Sequence, residues 1–250
     1  MNILIVESEN DQYFVEALVK FLNTANTIVC CIDDFKYSSL DQVKLKTQIG
    51  SALVEQGISK IGIILDIDDA DKESRIRLIN EALVVALNEN FADDFEILQL
   101  LTNTNEFIEI HSSVLTTVSL ACYFTNVDGN GELETLLKEI KKKDSTFADC
   151  LLEGWQDCLI QKGKKVVTRG QQGEITDKEL LKLWVDFYKR FDTLKKSDRD
   201  EKTTGWKGIW LDEVVVKKGE TKTIPARGKD IFDLSSDVLK EIKDFLLLFN

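Results

Sequence analysis

The sequence predicts an α/β fold with a mostly parallel sheet, followed by a mainly helical C-terminal part. Three observations carry this. Short apolar runs rich in branched side chains alternate with amphipathic helical segments over residues 1–144, several of those runs open directly into polar, acidic stretches, and residues 145–250 show mostly helical periodicity. Regular alternation of strands and helices favours a parallel sheet, because each crossover helix returns the chain to the same edge.

The elements follow in order. Residues 2–6 (NILIV) form an apolar run that ends at Glu7, and Tyr13, Phe14, Ala17, Leu18, Phe21 and Leu22 then recur at helical spacing. Asn10 or Asp11 can accept the free amides of that helix's first turn. Residues 27–32 read as a second strand, 40–55 as an amphipathic helix and 60–65 as a third, very apolar strand. A helix written by Arg75, Ile76, Leu78, Ile79, Leu83, Val84 and Leu87 follows. Residues 95–101 and 118–124 are further strands, with 107–110 a short one between them. The turn Asp-Gly-Asn-Gly at residues 128–131 introduces a helix over 132–143, and the sheet domain ends near Asp144. Beyond it, 147–160, 177–194 and 238–249 are helical, while 195–207 is a charged, loop-like run.

A chain of 250 residues with 43% hydrophobic content can bury one large core, or one core and a smaller appended domain. No apolar run approaches the ~20 residues of a membrane span, and Met1 leads straight into a strand, so neither a signal peptide nor a transmembrane helix is expected. Cys30, Cys31, Cys122, Cys150 and Cys158 form no Cys-x-x-Cys pair and no zinc site, and they read as reduced, mostly buried thiols of a cytoplasmic protein. The formal charge of -12 repels polyphosphate chains unless metal ions or a local basic patch intervene, which argues against broad coating of DNA.

The candidate chemistry lies in the acids. In a parallel sheet, residues just after different strands meet at one edge although distant in sequence. Glu7 ends the first strand and Asp66 the third, and Asp68 projects to the same side as Asp66 in an extended segment, so that the pair can hold one hard cation. Any one of these acids is equally well read as a helix cap, since helix amino ends favour carboxylates. Asp69 and Asp71 are available to cap the next helix, however, which leaves Asp66 and Asp68 for a ligand.

These motifs carry a resemblance. ILIVESENDQYFVEAL resembles the opening motif of Toprim domains, and IGIILDIDDADKESRIRLINEAL resembles their Asp-x-Asp motif with its following helix. LACYFTNVDGNGELETLLKEI and KDIFDLSSDVLKEIKDFLLLF resemble segments of a little-characterised, DUF3226-like family of small Toprim-like proteins related to the Toprim nucleases of the OLD type. The resemblance implies a Toprim-like Rossmannoid domain over 1–144. It implies Glu7 as an acid, base or metal ligand, and Asp66 and Asp68 as ligands of Mg²⁺ or Mn²⁺. By position, Asp11 and Glu134 are the matching candidates for a second metal. Ser8 stands where the Toprim pattern usually has glycine; serine is small, so close backbone approach is little affected.

The implied activity is metal-dependent cleavage of DNA or RNA, since carboxylate-held metals stabilise both oxygens of a phosphodiester displacement. Implied partners are a nucleic acid substrate, a separate ATPase subunit, and a second copy of the chain; no membrane partner is expected. Two rivals stand beside this: a non-catalytic Toprim-fold binding module, and a phosphoreceiver-like signalling domain, against which Asp68 in its run of acids speaks. No phosphate loop of the Walker type is present, so no ATP hydrolysis by the chain alone is expected.

Other features read as structural. His111 is the only histidine and builds no triad or two-histidine site. Lys162, Lys164, Lys165 and Arg169 form a basic loop of the solvated kind, with phosphate contact the less favoured reading. Trp155 and Trp184 read as core, whereas the lysine- and glycine-rich surroundings of Trp206 and Trp210 leave those two open to exposure.

Overall fold

A computed structural model describes residues 1–24, 26–32, 42–67, 70–92, 94–113, 117–129, 131–167, 175–195, 205–217 and 220–250. The chain divides into two compact units, Met1–Gly129 with Lys240–Asn250, and Asn130–Leu239.

The first unit is built on a six-stranded sheet in the order β2-β1-β3-β6-β5-β4. Its strands are β1 (Asn2–Val6), β2 (Thr27–Cys31), β3 (Lys60–Asp66), β4 (Glu96–Ile97), β5 (Ile108–His111) and β6 (Val118–Thr125). β2, β1, β3 and β6 run parallel, and β5 and β4 add antiparallel at one edge. The fold is thus mixed α/β with a mostly parallel sheet. Strand β4 is far shorter than the apolar pattern over 95–101 predicts. The side chain of Asn80, on the helix after β3, takes both main-chain groups of Leu101: Asn80 Nδ2 donates to its carbonyl at 2.9 Å and Oδ1 accepts from its amide at 3.1 Å. Leu98, 70% exposed, faces water rather than a strand partner.

Period-2 alternation divides the sheet's side chains between two layers. Ile3, Ile5, Ile61, Ile63 and Leu120 join a core with α2 (Gln42–Val54) and α3 (Lys72–Phe91), through Leu45, Ile49, Ile79 and Leu83 among others. On the other face lie α1 (Glu9–Leu22) and the C-terminal helix of the chain, Lys240–Leu247. That last helix is pinned at many points. Phe245 stacks on Tyr123 with centroids 5.7 Å apart, Phe249 meets Phe107 edge-on at 5.5 Å, and Asn2 Nδ2 donates to the Phe249 carbonyl.

The second unit contains α4 (Leu133–Glu139), α5 (Thr146–Gln161), the short parallel pair β7 (Val166–Val167) and β8 (Ile175–Thr176), and α6 (Asp177–Phe187) continued by a π-helical turn, Tyr188–Thr193. There follow α7 (Trp206–Trp210), an antiparallel hairpin of β9 (Glu213–Lys217) and β10 (Glu220–Ile224), and α8 (Gly228–Ile231); the C-terminal helix above is α9. Among the described residues this unit combines these helices with two short strand pairs. Its core is an aromatic stack: Trp184 lies 5.1 Å from Tyr188 at 9°, Tyr188 tilts onto Phe232, and Phe232 stacks on Trp210 at 5.4 Å.

Four expectations are corrected here. Trp155 is 48% exposed rather than core, because α5 buries only Ala148 fully. Trp210, open to exposure by its neighbours in sequence, is 3% exposed, since it closes the stack on Phe232. Cys150 and Cys158 are exposed on α5, so the cysteines are not mostly buried as a set. Helix α4 also stops at Glu139, short of residue 143: the chain turns into a β-bridge between Lys141 and Phe232.

Candidate functional site

The carboxyl ends of β1, β3 and β6 lie side by side, and the residues leaving them define the site. In β1 and β3 the register pairs Val6 with Ile64, so Glu7 emerges alongside the last residues of β3. β3 runs on to Asp66, which pairs with Thr125 at the end of β6. Glu7 Oε2 accepts a hydrogen bond from the Asp66 amide at 3.3 Å, which draws the glutamate carboxylate across to the end of β3. Asp66 is buried, at 7% exposure, and Glu7 is half-buried.

The strand order explains why the acids gather here. The chain passes from β1 outward to β2 and then returns to β3 on the opposite side of β1, so β1 and β3 flank a topological switch point. Helices leave such a point toward opposite faces, which opens a crevice beyond the strand ends where ligands of open α/β sheets bind. Helix α3 takes its cap from Asp71, whose side chain accepts from the Ser74 amide at 2.6 Å.

Asp11 has a different setting. Ser8 is the N-cap of α1, and Asp11 Oδ2 accepts from the Ser8 amide at 2.9 Å and from its hydroxyl, closing a capping box. Asp68 lies outside the described residues. Glu134 sits in the first turn of α4, in the second unit, at 5% exposure. The structure therefore brings Glu7 and Asp66 together and gives Asp11 a capping bond one turn away.

Polar groups at the end of β6, which the sequence did not single out, complete this edge. Thr125 is 4% exposed, and its carbonyl accepts from the Ile67 amide at 3.2 Å, tying the segment after Asp66 to β6. Asn126 Oδ1 accepts from the Gly129 amide at 3.0 Å and shapes the turn in which Asp128 and Gly129 have positive φ. The signal for these residues was positional: each follows a parallel strand, as Glu7 and Asp66 do.

The donor set suits a hard divalent cation, since carboxylate oxygens are the ligands Mg²⁺ prefers. Among the described residues no three His, Cys, Asp or Glu side chains form a group that could hold a metal ion. His111 is occupied elsewhere, with Nδ1 2.9 Å from Thr117 Oγ1. Burial pushes the Cys30 thiol up to about 11 and the Cys122 thiol up to about 12, so neither supplies a thiolate nucleophile at neutral pH.

A mixed α/β protein with an open sheet and an acidic pair at its switch point is the class these features define. The chain belongs to the family described as Protein of unknown function (DUF3226), whose model matches residues 1–247. Comparisons with curated proteins and with solved structures returned no match. Among the described residues, no helix is long and apolar enough to cross a membrane.

Proposed function

We propose that this chain is a Toprim-like, metal-dependent nuclease that cleaves phosphodiester bonds of DNA or RNA at the edge formed by Glu7, Asp66 and Asp68. The observation that carries the proposal is the bond from the Asp66 amide to Glu7 Oε2, which joins the two acids at the sheet's switch point. Asp66, with Asp68 two residues on, would hold Mg²⁺ or Mn²⁺, and the bound ion would polarise the phosphoryl group and offset charge on the leaving oxygen. Glu7, half-buried against the same strand end, would bind the ion or take a proton from the attacking water. A bound cation also offsets the repulsion that a chain of charge -12 exerts on a nucleic acid backbone. Asp11 is the proposed source of a ligand for a second metal.

The test is cleavage of DNA and RNA panels by purified chain with Mg²⁺ or Mn²⁺, alone and with an ATPase partner, against an EDTA control. Cleavage is expected to stop with EDTA and to fall at least ~100-fold in Asp68→Ala, the scale on which removing a charge-stabilising group acts. Uncut panels under every condition, or an Asp68→Ala variant as active as the parent chain, would leave the binding-module reading in its place.

A further inference from the structure

Helix α5 is apolar on two sides. Ala148 is buried and Leu152 and Leu159 are half-buried on the side toward α6 and the π-helical turn. About a third of a turn around the helix from them lies a second stripe, Phe147, Leu151, Gly154, Cys158 and Gln161, with Trp155 between the two, and every one of these residues is exposed. Phe147 is 60% exposed, Leu151 41% and Trp155 48%. A helix already packed on one face does not need a second apolar face to fold, and contiguous apolar surface of this kind marks an interaction site.

The stripe has a heptad spacing. Counted with Leu151 and Cys158 at position a, Phe147, Gly154 and Gln161 fall at d, Asp157 at g, and Trp155 and Lys162 at e. In a parallel pair of identical helices, a g residue meets the e residue five positions on in its partner, so Asp157 faces the partner's Lys162, and the two-fold axis repeats the bond on the other side. Within one helix, residues five apart point in different directions and cannot pair. Asp157 and Lys162 are both exposed, and neither has an ion-pair partner among the described residues. An antiparallel pair would instead set the acidic flank of Glu153 and Asp157 against its own copy. At Gly154 an added Cβ would meet nothing within 4 Å, so this outward glycine, a residue unfavourable inside a helix, leaves room for a second helix to approach.

We infer that α5 is a self-association surface on which two copies of the chain pair through parallel α5 helices, in register, with Asp157 and Lys162 bridging at both flanks. The inference is independent of the carboxylate site. A seam of about two heptads is small for a stable dimer, so association falls in the micromolar range, with Kd roughly 10–100 µM.

The experiment is sedimentation of the full chain from about 1 to 300 µM, a range that brackets this Kd. A monomer–dimer equilibrium is expected for the parent chain, and monomer throughout for Leu151→Glu with an unchanged circular dichroism spectrum. Asp157→Lys is expected to raise Kd about tenfold, and adding Lys162→Asp to return it to within about threefold of the parent, as a swapped pair does when it is the pair that matters. Mild air oxidation with copper-phenanthroline is expected to couple Cys158 to the partner's Cys158, in Cys150→Ser but not in Cys158→Ser. A chain that stays monomeric, a dimer indifferent to Leu151→Glu, a swap that fails to restore pairing, or a cross-link requiring Cys150 each overturns the inference.

Discussion

Asp11 and Glu7 stand one helical turn apart, yet their carboxylates meet different groups. Asp11 accepts from Ser8 at the mouth of α1, while Glu7 reaches sideways to the amide of Asp66. Capping bonds of this kind contribute about 1 kcal/mol, because they satisfy amides that the first turn leaves without partners. Asp11→Ala, measured by urea denaturation without metal, is therefore expected to lose about 1 kcal/mol of stability. An unchanged midpoint would show that the cap does not hold α1 and would leave metal binding as the role of Asp11. Glu7 and Asp66 were legible in the sequence because the end of an apolar run is a reliable marker of a strand's carboxyl end. The capping box is only half legible: the sequence offers Asn10 or Asp11 as the cap, whereas Ser8 is the N-cap and Asp11 its reciprocal partner. A three-residue offset among serine, asparagine and aspartate cannot be resolved without the backbone angles.

At the scale of elements, the alternation of strands and helices transmits well through sequence, and the position of α9 does not. Its apolar residues show that it packs, but nothing in local periodicity says on what. The answer lies in Gly62 of β3, where an ideal Cβ would come within 2.5 Å of Leu4 Cδ2 and 2.6 Å of Phe249 Cζ. The missing side chain makes space for the aromatic ring of the C-terminal segment, 187 residues later in the chain. Gly62→Ala is accordingly expected to destabilise the protein by roughly 1–3 kcal/mol, as overpacking of a filled core does. Phe249→Ala would vacate the opposing volume, so Gly62→Ala combined with it should cost clearly less than the two changes summed. Additive losses in thermal or urea unfolding would show that the two side chains do not share one space. Trp155 failed for a related reason: helical spacing beside leucines identifies an apolar face, and α5 has two such faces, only one of which is covered within the chain.

At the scale of the whole molecule, a formal charge of -12 and a sheet edge carrying acids at its switch point act in the same direction. A divalent cation bound by acids at this edge, as proposed above, would favour the folded state. A ligand that binds only the folded state stabilises by mass action, by about 2.7 kcal/mol when present at 100 times its Kd. For a chain of this size each kcal/mol moves the melting midpoint by roughly 2–4 °C, so Mg²⁺ or Mn²⁺ at that excess is expected to raise it by about 5–10 °C. Monovalent salt at equal ionic strength separates this from general screening, which acts over a Debye length of about 8 Å at physiological strength and needs no particular residue. Asp66→Asn keeps the shape of the side chain while removing its charge, and it should abolish the divalent response while leaving the salt response in place. A melting curve that saturating metal does not move, in the parent chain as in Asp66→Asn, would show that the acids at this edge do not form a metal site.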